Sequence, residues 1–271
     1  QKHLMAPMDD VMSVELEKEL RRKGIKVYCD ATVTEILEEE GSLGCIITPN
    51  DGSGPVKTRA GQILMAIGRR PDVSRLLGKD ISLDMKDGKI AVDSDFETSE
   101  PGVYAIGDVA ARTQLAHVAA AQGTYVVEKI AGRPHSIKLE VVPNGMFVSL
   151  PIVPNCIYTD PEIATVGITE EIAKKYGLKV RCGHFSMRDN GKSIITGEEH
   201  GFIRLLFEAY SNTIVGAQMM CPRATDMIGE IATAIANGLT AQEMSFAMRA
   251  QPTYNEGIGA AIEDAMRQNP V

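Results

Sequence analysis

The sequence has no excess of basic residues and no long apolar run. It carries 28 Lys and Arg against 36 Asp and Glu, a net charge of -8. Nucleic-acid-binding proteins carry a basic patch or stripe, so the composition excludes that class. A membrane-spanning helix needs about 20 consecutive apolar residues, and a secretory signal needs an apolar segment near its start. Neither occurs, so we expect no membrane span and a cytoplasmic location.

Paired or clustered cysteines are also missing. The five cysteines are odd in number and scattered, at Cys29, Cys45, Cys156, Cys182 and Cys221. Their spacing fits neither a C-x-x-C motif nor a zinc quartet nor a secreted disulfide framework. We therefore expect small buried thiols in a reducing compartment and no metal site.

The glycine-rich turn that opens a dinucleotide-binding domain is absent as well. Gly52-Ser53-Gly54 precedes Pro55 and lacks both the third glycine and the helix that must follow, so it indicates a hairpin turn. The first residue is Gln1 and not methionine. We expect a fragment or a processed product of a larger protein.

The 271 residues, 44% hydrophobic and 24% charged, are typical of an ordinary globular protein with one large or two modest domains. In residues 1–71 the pattern predicts a helix over 9–22, a short strand over 25–28 and paired strands over 31–37 and 44–48. It also predicts a strand buried on both faces over 62–67. This order is typical of the latter part of a nucleotide-binding domain.

In residues 72–140 the pattern predicts short strands over 88–93 and 103–106 and a helix over 115–131. Gly107 and Asp108 close the second strand at its carboxyl end. Ligands of open α/β sheets lie there, against helix N-termini. Asp108 is therefore a candidate ligand contact, and the alternative is a carboxylate that caps the next helix.

In residues 141–271 the pattern changes. It predicts antiparallel strands over 179–187, 201–207 and 214–220, then helices over 225–237, 240–247 and 253–266, an α+β domain. The first helix has a surplus of apolar residues, Met227, Ile228, Ile231 and Ile235. We expect this surplus to form the interface of a symmetric homodimer; burial in the core of one chain is the alternative.

Five ordered runs carry a family resemblance. They are Ala66-Ile67-Gly68-Arg69-Arg70-Pro71, the run from Thr98 to Val109 that contains Ala105-Ile106-Gly107-Asp108, Leu115-Ala116-His117-Val118-Ala119, the run from Ile157 to Gly167 that contains Tyr158-Thr159-Asp160-Pro161-Glu162, and Pro252-Thr253 with Glu256. Together they resemble the C-terminal part of a pyridine nucleotide-disulfide oxidoreductase, in the style of dihydrolipoamide dehydrogenase.

The resemblance implies an α/β plus α+β fold: C-terminal parts of an NAD(P)-binding domain (1–71) and an FAD-binding domain (72–140), then a dimerisation domain (141–271). It implies FAD and NAD(P) as cofactors of the intact enzyme, a homodimer through 141–271, and a 2-oxo acid dehydrogenase complex as a candidate assembly. Electrons would pass between NAD(P)H, flavin and a disulfide or dithiol, an activity connected with cell redox homeostasis.

The resemblance also assigns cofactor-binding residues. Asp108, behind Gly107, would accept a hydrogen bond from a ribityl hydroxyl of FAD. Leu115, Ala116 and His117 would bring a helix N-terminus to the flavin, with His117 acting through its backbone N–H. The resemblance also assigns Gly68 as a cofactor-binding residue, at a point where the backbone would pass close to NAD. The alternative is that this glycine serves a turn at the end of a strand.

The tail departs from the family pattern, and it holds the candidate catalytic residues, Gln251 and Glu256. Gln251 stands where the family has a histidine, and a carboxamide cannot act as a general base. Glu256 would orient that side chain, but Thr253-x-x-Glu256 is also a capping box. Tyr254 is a candidate to replace the proton donor that the family's histidine provides.

Two alternatives to disulfide chemistry follow. Gln251 favours a family member with a non-dithiol acceptor, an oxidase or a small-molecule reductase. The isolated chain, which lacks the family's redox cysteine pair, is expected to be inactive and is alternatively a non-catalytic dimerisation module.

Overall fold

The computed structural model describes residues 1–5, 8–39, 41–78, 81–111, 113–138, 140–141 and 150–268. Its helices are α1 (Asp10–Arg22), α2 (Ala116–Ile130), α3 (Glu170–Lys175), α4 (Gly191–Thr196), α5 (Ala224–Ala236), α6 (Ala241–Ser245) and α7 (Glu256–Arg267). Its strands are β1 (Ala31–Glu39), β2 (Ser42–Pro49), β3 (Val56–Ala60), β4 (Met85–Lys86), β5 (Lys89–Ile90), β6 (Glu140–Val141), β7 (Leu150–Pro151), β8 (Asn155–Ile157), β9 (Ile163–Gly167), β10 (Val180–Ser186), β11 (Phe202–Glu208) and β12 (Ile214–Met220).

The amino-terminal helix and hairpin form as the pattern predicts. The Asp9 carboxylate caps α1 by accepting from the Val11 backbone N–H, and Gly24 follows the helix in the left-handed conformation, with φ of +80°. Strands β1, β2 and β3 make an antiparallel sheet in that order. The third strand of this sheet was not foreseen.

Two predicted strands in the same stretch are wrong. Residues 25–28 and 62–67 form no strand, and Leu64 and Ile67 are 89% and 87% exposed. A strand buried on both faces needs a hydrogen-bonded neighbour and covering helices. Nothing among the described residues pairs with the backbone of 62–67, so the apolar run stays open.

Residues 72–138 contain only two short strands in their described part, whereas the predicted helix is present. The strand expected over 88–93 is reduced to β5, paired with β4. Residues 103–106 make a single antiparallel bridge, between Tyr104 and Glu97. Helix α2 begins after Leu115 and ends at Ile130, one residue before the predicted end at 131; Gly132 follows with a φ of +63°.

Residues 150–268 hold the largest core. Strands β10, β11, β12, β9 and β8 form a five-stranded antiparallel sheet in that order, and α5 and α7 pack against it. Helix α7 lies very close to β10, because a Cβ on Gly183 would stand 1.9 Å from the Ala261 carbonyl oxygen. The predicted α+β arrangement is confirmed, and α4 was not foreseen. The proposed start of this domain falls next to residues 142–149, which lie outside the described part.

The predicted interface residues on α5 are instead part of that core. Ile228, Ile231 and Ile235 are 2%, 0% and 1% exposed, and Met227 packs against the same cluster. The apolar surplus on α5 is therefore buried within one chain, as the alternative reading had it. The large apolar side chains left exposed beyond α6 are Phe246, at 71%, and Met248, at 100%.

Helix α1 is attached to the five-stranded sheet. Met12 and Leu16, 0% and 3% exposed, pack with Ile163, Phe202 and Met220. Burial of two large apolar side chains is worth several kcal/mol. Beside them, Gln218 donates a buried hydrogen bond of 3.0 Å to Asp9. Within the described residues, no helix is long and apolar enough to cross a membrane.

Candidate functional site

The turn at Gly107 is seated on helix α2. Gly107 has a φ of +66°, and its N–H donates to the Gln122 side-chain oxygen at 2.8 Å, a buried bond. A Cβ at this position would lie 2.9 Å from the Ala119 Cβ. Glycine is therefore required both for the left-handed backbone and for the close approach to the helix.

Asp108 follows in this turn with its carboxylate partly open to solvent. Its side chain is 33% exposed, and the Arg69 guanidinium lies 3.3 Å from Oδ2. Arg69 is itself 81% exposed, so the ion pair contributes little to stability. Gly68 precedes Arg69, is exposed and has a φ of +122°. The structure thus brings the Gly68 turn to the neighbourhood of Asp108.

The amino-terminal end of α2 is left open. Leu115 provides no side-chain cap, and the first turn contains no acidic residue. The first N–H groups of a helix have no partner within it, and they carry the positive end of the dipole. The His117 imidazole is held elsewhere, with Nε2 2.9 Å from the Pro154 carbonyl oxygen. His117 can therefore offer a ligand its backbone and not its ring.

These residues fit the flavin end of FAD. Gly107 allows the chain to lie flat against α2, and Asp108 presents an acceptor-only carboxylate, suited to a hydroxyl donor. The open end of α2 favours negative charge. The assignment of Gly107, Asp108, Leu115, Ala116 and His117 to FAD, which the resemblance implies, stays a prediction.

The tail residues form a second, separate group. Gln251 and Glu256 line a cavity of about 620 Å³ between α6, α7 and the end of β10. The cavity also contains one basic and two further acidic side chains, Arg249, Asp189 and Glu263. All of its lining residues fall between positions 185 and 263. The candidate catalytic and cofactor residues thus occupy different parts of the chain.

One carboxylate oxygen of Glu256 is hydrogen-bonded to the loop that precedes α7. Its Oε2 accepts from the Thr253 backbone N–H at 2.9 Å. The Thr253 hydroxyl donates to the Ala250 carbonyl at 2.6 Å and does not cap α7. Only half of the predicted capping box therefore forms. The Glu256 side chain holds the loop and borders the cavity at once.

Tyr254 does not replace the missing acid. Its hydroxyl lies 2.9 Å from the Thr196 hydroxyl and also hydrogen-bonds to Glu198. Burial, then the bond to Glu198, raises the pKa of Tyr254 above its usual range. Tyr254 is not among the residues that line the Gln251 cavity. The geometry makes it a tether between the loop and α4.

A clamp on the same loop was missed by the sequence analysis. Glu230 of α5 binds the Arg249 guanidinium at 2.5 Å and accepts from the Asn255 amide at 3.0 Å. Arg249 is only 8% exposed. The clamp holds both ends of the segment that contains Gln251. Its members lie 19 and 25 residues apart, so no local spacing could reveal it.

The cysteines and acidic residues add no metal centre. Across the described ranges, no group of three or more His, Cys, Asp or Glu could hold an ion. Cys221 is fully buried, and burial, then the nearby Glu162, raises the pKa of its thiol to about 12. All five thiols are free.

Two family profiles match the chain. The pyridine nucleotide-disulphide oxidoreductase profile matches residues 1–123, and the dimerisation-domain profile of the same family matches residues 153–262. Similar curated proteins include the dihydrolipoyl dehydrogenases of Geobacillus stearothermophilus, 32% identical over 97% of this chain, and Bacillus subtilis, 33% identical over 94%. The chain spans about half of each relative, 53% and 52%.

Solved structures with a similar fold include two bacterial proteins. LpdA of Mycobacterium tuberculosis gives a TM-score of 0.79 at 24% identity, over 95% of this chain and 52% of its own. The HOCl-induced flavoprotein disulfide reductase RclA of Escherichia coli gives 0.81 at 16% identity, over 98% of this chain and 57% of its own. At these identities the likeness concerns the fold.

Proposed function

Because the chain belongs to the pyridine nucleotide-disulphide oxidoreductase family, we propose that it supplies the second half of an FAD- and NAD(P)-dependent oxidoreductase resembling dihydrolipoamide dehydrogenase. The identity of 31–33% to four curated dihydrolipoyl dehydrogenases supports this. Bound FAD would supply two-electron transfer between NAD(P)H and a disulfide or dithiol.

The observation that carries the proposal is the seating of the Gly107–Asp108 turn on α2. Asp108 would accept the hydrogen bond of a ribityl hydroxyl and so hold the sugar chain. The N–H groups of Ala116 and His117 would stabilise negative charge on the pyrimidine side of the ring. Gly68 would let the backbone approach the nicotinamide nucleotide.

A homodimer through residues 141–271 would join the two separate groups of residues. The dimerisation-domain match supports it, as do the exposed Phe246 and Met248 next to the Gln251 loop. Gln251 and Glu256 of one subunit then complete the flavin site of the other. Membership of a 2-oxo acid dehydrogenase complex and a cytoplasmic location stay predictions.

A second candidate function is electron transfer to an acceptor other than a dithiol. A histidine can exchange protons with redox thiols near neutral pH, whereas the Gln251 carboxamide cannot titrate. Loss of a general base costs about 10²–10⁴ in rate. Because its hydroxyl is bonded to Glu198, Tyr254 is not placed to take over that role. An oxidase or a small-molecule reductase would not need it.

The test is equilibrium dialysis of the chain against FAD, followed by an absorbance scan. We expect weak retention, since the glycine-rich turn that would bind the pyrophosphate is not in this sequence. We also expect Asp108→Asn to lower the bound fraction about tenfold or more, the value of a charge-assisted hydrogen bond. Asp226→Asn, an exposed carboxylate on α5, is the matched control. Stoichiometric FAD on the Asp108→Asn variant would overturn the assignment.

A further inference from the structure

A group of exposed lysines and tyrosines lies where α3 leads into strand β10. This lysine–tyrosine patch consists of Lys174, Lys175, Tyr176, Lys179 and Tyr210. The two tyrosines are 55% and 78% exposed, and the three lysines are exposed as well. All five residues fall inside the dimerisation-domain match. The patch therefore belongs to the domain that holds the five-stranded sheet and the largest core.

Backbone hydrogen bonds bring the residues of the patch together. The Gly177 N–H donates to the Lys174 carbonyl oxygen at 3.1 Å, at the point where the chain leaves α3. The Ala209 N–H donates to the Lys179 carbonyl oxygen at 2.9 Å. The second bond holds the turn between β11 and β12, which carries Tyr210, beside the start of β10.

Each tyrosine ring of the patch has a lysine ammonium above it. The Lys175 Nζ lies 5.8 Å from the centre of the Tyr176 ring, and the Lys179 Nζ lies 5.7 Å from the centre of the Tyr210 ring. At such distances the electrons of the ring attract the cation. Neither hydroxyl bonds to another described residue. The patch therefore presents cations, phenol donors and apolar ring surface side by side.

The lysines of the patch have no carboxylate partner in the described part of the chain. Lys174, Lys175 and Lys179 form no ion pair there. Two nearby acids are engaged elsewhere: Glu170 is bound by an arginine of β11, and Glu208 accepts from two backbone N–H groups of its own turn. The patch thus keeps a local positive charge.

This local charge selects the class of partner. One further acid of α3, Glu171, lies in the first turn, so the three lysines leave a positive excess that attracts carboxylates. The attraction acts over about 10 Å at 0.1 M salt. A membrane or a long polyanion extends past the patch and meets a chain whose net charge is -8. Three lysines are also fewer than the four to eight or so of a lipid-binding cluster. A short acidic segment meets the patch alone.

We propose that the lysine–tyrosine patch is a docking surface for a short acidic segment of a partner protein, with an apolar residue among its carboxylates. The lysines pair with the carboxylates, and the tyrosine hydroxyls donate to them. The tyrosine rings and Ile172, 37% exposed, cover the apolar residue. Tyrosine suits such a surface because it combines a large apolar area with a polar tip.

The patch is separate from the Gln251 cavity. Strand β10 starts beside the patch, at Val180, and Phe185 near its other end lines the cavity. The seven residues of this strand span about 20 Å. A dimer that forms around the Gln251 loop is therefore centred well away from the patch. The inference does not depend on that dimer or on flavin and nicotinamide binding.

The test titrates the full chain into a fluorescein-labelled peptide, Glu-Glu-Tyr-Glu-Glu-Leu-Glu-Glu, and records anisotropy at about 0.1 M salt. We expect saturable binding with a Kd of about 0.1–1 mM. Binding should be lost when glutamine replaces every glutamate of the peptide. It should also be lost at about 1 M salt, where charges act over only about 3 Å.

Charge reversal provides a matched control. Lys175→Glu plus Lys179→Glu should weaken binding about tenfold or more. Lys26→Glu plus Lys86→Glu, at two exposed lysines outside the patch, changes the net charge equally and should leave the Kd within about twofold. Circular dichroism confirms the fold of each variant.

Aromatic contact and the membrane alternative are tested with the same chain. Tyr210→Ala should weaken peptide binding about threefold, whereas Tyr158→Ala, at a residue 81% exposed, should not. Vesicles of phosphatidylcholine with about 30% phosphatidylserine should not sediment the chain. No saturation at about 1 mM chain, equal weakening by the two double lysine variants, or sedimentation with the vesicles would overturn the proposal.

Discussion

The contact between the Gly107 turn and α2 can be tested with a matched pair of glycine substitutions. Gly107 and Gly132 have nearly the same backbone conformation, with φ of +66° and +63°. Both therefore impose a similar conformational cost on alanine, about 1–2 kcal/mol for a left-handed residue. They differ in surroundings: a Cβ on Gly132 meets nothing within 4 Å, and one on Gly107 stands 2.9 Å from the Ala119 Cβ.

We expect Gly132→Ala to lower the free energy of unfolding by about 1–2 kcal/mol. Gly107→Ala should cost a further 1–3 kcal/mol or so, the usual cost of overpacking. Urea denaturation followed by circular dichroism measures both. In the double variant Gly107→Ala, Ala119→Gly, the extra cost should largely disappear after correction for Ala119→Gly alone. Equal losses for Gly107→Ala and Gly132→Ala, or a cycle with no coupling, would refute the close approach of the turn to α2.

Four other predictions concern packing, titration and assembly. Leu16→Ala should cost about 2–4 kcal/mol and expose the amides of α1 to hydrogen exchange, whereas Val14→Ala, at a residue 50% exposed, should stay within about 0.5 kcal/mol of the wild type. Tyr254→Phe should lose about 1–2 kcal/mol in urea denaturation because two hydroxyl contacts disappear; Tyr210→Phe, 78% exposed, should lose almost nothing, and equal losses would contradict the tether to α4. The Cys221 thiol has a pKa of about 12 when folded against 9.0 as the ordinary value, so the unfolded state releases its proton first and stability should fall as pH rises from 9 to 12; Cys221→Ala should show a shallower fall in that window, and an unchanged slope would contradict the burial. Sedimentation equilibrium should show a dimer of 29.3 kDa chains that Phe246→Asp plus Met248→Asp splits and Ile194→Asp does not; a monomer before those changes would contradict the dimer.

Local signals were sufficient for α1, α2, α5 and α7 and for most of the large sheet, but not for α4. The α1 cap at Asp9, the α3 cap at Thr169 and the αL terminator at Gly177 act within a few residues. The apolar composition of β11 and β12, both largely buried, is also local. Such features depend on neighbours in sequence, so a local pattern can indicate them.

Elements that depend on distant partners could not be predicted. Residues 62–67 have the composition of a buried strand, but nothing in the described chain pairs with them. The strand predicted from composition alone was therefore wrong. The same holds for α5, whose apolar surplus is buried against the sheet of its own chain. Periodicity shows that a face is apolar, not what covers it.

Sequence motifs placed the residues of the candidate site, and the structure added the contacts between them. The sequence placed Asp108 at the carboxyl end of an extended segment and α2 directly after it, and the structure keeps both. The Gln122 bond to Gly107, the Arg69 contact with Asp108 and the Glu230 clamp join residues 15, 39 and 19–25 positions apart. Spacing along the chain holds no information about such contacts.

The central claim, that the Gly107–Asp108 turn and the start of α2 hold the ribityl and ring portion of FAD, is tested most directly by mapping flavin contacts on the amides of this chain. Transverse-relaxation-optimised NMR of the ¹⁵N-labelled protein, titrated with FMN and separately with ADP, detects even weak binding. Because FMN has the ribityl chain and ADP does not, we predict shifts at Gly107, Asp108, Ala116 and His117 with FMN alone. Shifts with FMN that avoid these amides, or equal shifts with ADP, would contradict the claim.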